Sequence, residues 1–124
     1  MSISKSEAIV FLANNVGSSD GEFTEQEITV AMQNPAYAKA FEEYIALDGL
    51  SKVKSGELNE FYAIETLKKL SKDDQIEALA ICFGIVMADG IMSDDEKDYL
   101  LKIAMRIGDI DWETVNSKYL EMKS

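Results

Sequence analysis

The sequence predicts an all-α fold, a single compact bundle of about seven helices with an internal pseudo-two-fold repeat, and three observations carry that expectation. Apolar residues recur at helical spacing in most segments, and no stretch alternates with a period of two. Helix starts are written as capping boxes, in which a Ser or Thr caps the backbone and a Glu three residues later reaches back: Ser4 with Glu7, Thr24 with Glu27 and Ser93 with Glu96. An acidic pattern also occurs twice. Asp20-Gly21-Glu22-Phe23-Thr24-Glu25-Gln26-Glu27 is echoed by Asp89-Gly90-Ile91-Met92-Ser93-Asp94-Asp95-Glu96, and the matched positions stand 69 residues apart throughout, as from Asp20 to Asp89.

Taken in order, the first helix opens at Ser4, carries Ala8, Ile9, Leu12, Ala13 and Val16 on one face, and fades at Gly17-Ser18-Ser19. A second is expected from about Glu25 to Gln33. Asn34-Pro35 then reads as a cap followed by Pro at the first helical position, starting a third helix with Tyr37, Phe41, Tyr44 and Ile45 inward and Asp48-Gly49 closing it. Leu50 to Gly56 is polar and predicts no more than a short turn of helix. A fourth helix from about Glu57 places Leu58, Phe61, Tyr62, Glu65, Leu67 and Leu70 at helical spacing, and Ser71 caps a fifth, with Asp73 and Asp74 in its first turn. The fifth, from Asp74 to about Ala88, is apolar nearly all round, which marks the centre of the bundle. The sixth, Asp94 to Ile107, turns Leu100, Ile103, Ala104 and Ile107 inward and stops at Gly108. The seventh, capped by Asp111, returns Trp112, Val115, Tyr119 and Met122 to the core.

The 124 residues fit one domain, and each half of the repeat is too small to stand alone. The net charge of −11 and the absence of any basic residue between Lys5 and Lys39 repel phosphate backbones, so nucleic acid and anionic membranes are not expected partners. Divalent cations or a basic protein surface suit such a chain, although acid that serves only solubility needs no partner. Met1-Ser2-Ile3-Ser4-Lys5 lacks the long apolar core of a signal peptide. The apolar run from Ala78 to Ala88 is about half the ~20 residues that cross a bilayer, so no direct membrane insertion and a cytoplasmic location are expected. The single Cys82 lies in an apolar run without a cationic sequence neighbour, as an inert core thiol does.

The repeated turn admits two readings. In an EF-hand loop Gly stands at position six, an apolar residue at eight and a bidentate Glu at twelve, and both copies meet all three. Counting back puts Val16 and Ser18, or Ile85 and Met87, at positions one and three, and apolar side chains do not ligate a hard cation, so an EF-hand is excluded. Asp20, Glu22 and Glu27, or Asp89, Asp94 and Glu96, remain able to gather around Ca2+ or Mg2+ with backbone carbonyls and water. Zinc is disfavoured by the absence of His and the lone Cys. The alternative is structural: Asp-Gly makes the turn, the apolar residue acts as a staple, and the Ser or Thr with its Glu caps the next helix.

The stretch from Ala80 through Ala88-Asp89-Gly90-Ile91-Met92-Ser93-Asp94-Asp95-Glu96 to Gly108 resembles the TerB-like family, which includes the tellurite-resistance protein TerB and the amino-terminal domain of some membrane-anchored DnaJ-type co-chaperones. The resemblance is strong over residues 74 to 108 and weaker over 1 to 34, where Ser18-Ser19 replaces the family's small apolar pair. It implies a bundle of about seven helices, a role in stress response or protein assembly, and metal-ion sites at the acidic turns, carried here by Asp20, Glu27, Asp89 and Glu96.

The expected function is therefore a non-catalytic TerB-like module that binds a divalent cation at its Asp-Gly turns and acts in stress response, of the tellurite-resistance type, through an unknown and basic protein partner. The alternative is a scaffold or interaction domain with purely structural turns, for which Met92, Met105 and Met122 are candidate contact residues. Catalysis is disfavoured, since the chain has no His and the adjacent Asp94 and Asp95 point in different directions on a helix.

Overall fold

The computed structural model describes residues 3–17, 29, 32–87 and 93–123, and seven helices are bounded among them. They are α1 (Lys5–Gly17), α2 (Pro35–Ala46), α3 (Gly49–Ser55), α4 (Glu60–Lys68), α5 (Lys72–Val86), α6 (Asp94–Gly108) and α7 (Trp112–Lys123), and the described residues contain no strand. The helix expected from about Glu25 to Gln33, with its Thr24–Glu27 cap, lies almost wholly outside the described residues. The segment read as at most a short turn is instead the helix α3.

Short polar side chains set the helix starts. At α1, Ser4 Oγ accepts from the Glu7 N–H at 3.1 Å and Glu7 Oε1 accepts from the Ser4 N–H at 2.9 Å, which satisfies two otherwise orphaned donors. Asn34 Oδ1 accepts from Ala36 and Tyr37 ahead of Pro35-led α2, and Asn59 does the same for Tyr62 at α4. Ser71 caps α5 through the Asp74 N–H, and Asp111 caps α7 through the Thr114 N–H and hydroxyl. α6 begins with the full Ser93–Glu96 capping box.

α5 is the central element, as its all-round apolarity predicts. It packs against α1, α2, α4, α6 and α7, and buries Leu79, Ile81, Cys82, Phe83, Ile85 and Val86. α1 lies against α2, α4 and α5, with Ala8 and Ala13 fully buried and Ala63 of α4 equally so; such small side chains let helix axes approach closely. α6 contributes Leu100, Ile103, Ala104 and Ile107 to the core, and α7 contributes Val115. No helix among the described residues is long and apolar enough to cross a membrane.

Ile45, expected to face inward, is exposed to solvent, and so are Phe61 and Tyr62 of the predicted fourth helix. Ile45 is 57% exposed, because the buried stripe of α2 runs through Tyr37, Ala40 and Tyr44, and the next residue along is rotated off it by one helical step. Phe61 and Tyr62 are 58% and 48% exposed, because α4 turns Ala63, Ile64 and Leu67 inward and starts at Glu60, three residues later than expected. Close packing against α1 selects the smaller face of α4, and the two rings stack edge-on with each other outside it, 5.5 Å between centroids.

Between α2 and α3 the chain reverses through Asp48, held at φ 58, and Gly49 lies directly under the Tyr44 ring. A Cβ on Gly49 would stand 2.3 Å from two atoms of that ring. Gly49→Ala is expected to lower stability by about 1–3 kcal/mol in urea unfolding, the range for overpacking a closed site. A loss within experimental error would show that the Tyr44 ring moves aside without cost.

Candidate functional site

The amino terminus of α6 is the part of the repeated acidic turn that the structure describes. Asp94, Asp95 and Glu96 form its first turn, where carboxylates complement the exposed N–H groups and the helix dipole. Ser93 Oγ accepts from the Glu96 N–H at 3.1 Å, and Glu96 Oε1 accepts from the Ser93 N–H at 2.9 Å. Glu96 is buried whereas Asp94 is exposed, and two positions apart on a helix they face different ways. The remaining predicted ligands, Asp20, Glu22, Glu27 and Asp89, lie outside the described residues, as does Met92. Among the described residues no group of three or more His, Cys, Asp or Glu side chains is placed to hold a metal ion.

Carboxylate oxygens are donors for hard cations, and thiolate for soft ones. The available groups are carboxylate oxygens, and Cys82 is buried in an apolar setting that pushes its thiol up to about 12, far from the thiolate a soft metal requires. A cation at Glu96 needs further donors from the chain preceding Ser93, since α6 alone does not converge two carboxylates.

A second capping box shows what such a glutamate does with its outer oxygen. Glu7, 1% exposed at the start of α1, makes the same two bonds with Ser4, at the same 2.9 and 3.1 Å, as Glu96 makes with Ser93. Its Oε2 receives the ammonium of Lys52 from α3 at 2.7 Å. Burial works against the charged form of Glu7, but the Lys52 ammonium and the Ser4 bonds outweigh it and hold the carboxyl below its ordinary value. Sequence reasoning found the Glu7 cap and missed its cation, because Lys52 lies 45 residues away on a segment without a strong pattern.

Two further features escaped the sequence reading. A groove of about 620 Å³ runs between the start of α5 and the length of α7, with Asp73, Asp74, Glu77, Asp111, Glu113 and Glu121 along it. Lys5 partly offsets this charge, 3.4 Å from Asp74 and 3.5 Å from Glu77, and Lys118 reaches Glu121 at 3.5 Å. Both helix starts attract carboxylates for dipole reasons, and that shared preference was the available signal. On the opposite edge, the Tyr99 hydroxyl donates to Glu60 at 2.8 Å and accepts from Asn15 at 3.2 Å, while Arg106 reaches the other Glu60 oxygen at 2.6 Å. Burial first, and then its bond to Glu60, raise the Tyr99 pKa, so this hydroxyl is a structural donor tying α1, α4 and α6 together. Met105 on the same edge is 69% exposed, and Met122 of α7 is packed against the core.

The family model for the tellurite resistance protein TerB matches residues 6–115, which take in every helix from α1 to the first turn of α7. The chain belongs to the TerB family. Neither the curated proteins nor the solved structures provide a match. Family membership agrees with the seven-helix all-α architecture and places the acidic turn before α6 within the matched region.

Proposed function

We propose that this TerB-family chain is a non-catalytic module of a single domain that binds a hard divalent cation, Ca2+ or Mg2+, at its repeated Asp-Gly turns and works in a stress response through a basic protein partner. The observation that carries the reading is the equivalence of the two capping boxes. Glu7 shows that a carboxylate closed into such a box can still take a cation, since its Oε1 accepts from Ser4 while its Oε2 receives the Lys52 ammonium. Glu96 stands in the same box, next to a turn that brings Asp89 and Asp94 in sequence, as Glu27 does with Asp20 and Glu22. Those six residues are the proposed ligands; because Asp94 and Glu96 face different ways on the first turn of α6, one of the two reaches the ion through water, and backbone carbonyls and further water complete the shell that such ions take. The acidic groove between α5 and α7 supports a partner of opposite charge.

The reading is tested by amide NMR titration of the metal-stripped protein with Ca2+ and then Mg2+ at physiological salt. Saturable shifts centred on Gly21 and Gly90 are expected, with those at Gly90 lost in Asp89→Asn. No shift at millimolar ion would overturn it. One observation favours the alternative of a scaffold with structural turns: both bonds of the Ser93–Glu96 box are made, so Glu96 caps α6 with or without an ion.

A further inference from the structure

The short helix α3 is attached to the bundle differently from every other described helix. Its seven residues, Gly49–Ser55, lie between two left-handed backbone positions, Asp48 at φ 58 and Gly56 at φ 84. Glycine takes that conformation freely, and Asp is one of the few other residues that tolerate it. Leu50, Ser51, Lys54 and Ser55 are exposed, Val53 is only partly buried, and Gly49 alone is fully covered, by the Tyr44 ring of the preceding helix. A segment with so little apolar burial gains little from the hydrophobic effect. Besides the partial packing of Val53 on the core, what ties it to a distant part of the chain is a charged contact, Lys52 Nζ to Glu7 Oε2 at 2.7 Å, and Glu7 is itself fixed by the cap of α1.

We propose that α3 is a strap that opens as a unit while the rest of the bundle stays folded, and that the Lys52–Glu7 pair is its latch. The hinges are Asp48 and Gly56. The latch sits where an ion pair is strong for its size, because the carboxylate is shielded from water and already ordered by Ser4, so little further entropy is lost in pairing. Opening uncovers the Tyr44 ring beside the exposed Ile45 and Leu47, and returns Glu7 to water. A chemical change that removes the charge of Lys52 therefore converts a covered aromatic surface into an exposed one without unfolding the core.

The test is native-state hydrogen exchange on the full chain, following three amides whose bonds belong to the strap: Lys52 to Asp48 O, Gly56 to Val53 O and Leu58 to Lys52 O. In the unmodified protein, at rising sub-denaturing urea, these amides are expected to exchange through an opening nearly independent of denaturant, while amides of Leu79 to Phe83 in α5 follow global unfolding. In Lys52→Gln the strap amides are expected to exchange at least about tenfold faster, the α5 amides changing far less. Lys52→Arg restores the slow rate, and Lys54→Gln, at an exposed lysine two residues further along the same helix, leaves it unchanged. Strap amides that follow the α5 amides in the unmodified protein overturn the strap, whether or not the Lys52 variants fold. Unchanged strap exchange in Lys52→Gln, or equal acceleration in Lys54→Gln, overturns the latch.

Discussion

Phe83→Ala is expected to lower the stability of this protein by about 3–5 kcal/mol, the range for removing a large buried ring from a core that relaxes only in part. Phe83 is the contact through which α5 holds α7. Its ring lies 4.9 Å from the Trp112 ring and 4.7 Å from the Tyr119 ring, centroid to centroid, both tilted as aromatic quadrupoles prefer. Two such pairs add about 0.5–1.5 kcal/mol each to the area term, which places the expected loss in the upper half of the range. Trp112 is the single tryptophan, so its fluorescence in urea reports the docking of α7 directly. Phe83→Leu keeps most of the volume and is expected to lose less than half as much. A loss below about 1 kcal/mol for the alanine variant would mean that α7 is held by other contacts, Val115 first among them.

The helical architecture was legible because its signals are local. Capping boxes at Ser4 and Ser93, Asn34-Pro35, and the Ser71 and Asp111 caps each satisfy orphaned donors within three residues, and every one of these described caps forms as the spacing predicts. The nearly all-apolar α5 could only be central. What misled the reading was size. Phe61, Tyr62 and Ile45 have more area to bury than Ala63 or Ala40, yet the close approach of neighbouring helices selects the small residues, and that geometry is set by partners far away in sequence. α3 was obscure for a related reason, since a helix that sets only Gly49 and Val53 against the bundle and otherwise relies on a distant ion pair leaves no periodic trace. The candidate site was legible only as a pattern. Sequence spacing located Asp94 and Glu96 on the first turn of α6 and found the equivalent box of Ser4 and Glu7, but it grouped Asp94 with Glu96 around one cation where the helix turns them apart, and no rule of spacing could reveal that Glu7 already holds the ammonium of Lys52.

A Lys ammonium is a fixed cation supplied by the fold, whereas a hydrated divalent ion arrives only above a certain concentration. If the Glu96 turn takes such an ion, one TerB-family bundle carries a permanent cation at α1 and an exchangeable one at α6, both seated on the first turn of a helix that packs against α5. Occupancy of the second then changes the charge at the end of α6, and a strongly acidic protein with a net charge of −11 is the background against which two added positive charges alter partner attraction most.

Gln75→Glu is the other change expected to have a large effect, and its signature is dependence on pH. The Gln75 amide is buried, and its Nε2 donates to the carbonyls of Leu67 at 3.0 Å, Lys68 at 3.3 Å and Leu70 at 3.3 Å, at the end of α4 and just beyond it, where Leu67 also accepts from the Leu70 N–H. A carboxylate of the same shape has no hydrogen to give them. It also faces the negative end of the α4 dipole from a site without water, so both burial and like charge raise its pKa. The cost is about 3–5 kcal/mol near neutral pH, where the group must either ionise in place or take up a proton. For an acid whose folded-state pKa lies above its unfolded value, the penalty is full above the folded value and shrinks as pH falls towards the unfolded one. The gap to the unmodified protein should therefore narrow between about pH 7.5 and pH 5, a window above the isoelectric point of about 4.3. Gln75→Leu removes the donor without adding a charge, and its loss of about 1–3 kcal/mol should be constant over the same window. Urea unfolding of the three proteins at several pH values separates the two contributions, and a glutamate variant whose deficit is flat with pH would show that the new carboxyl escapes to solvent and that the end of α4 does not depend on this contact.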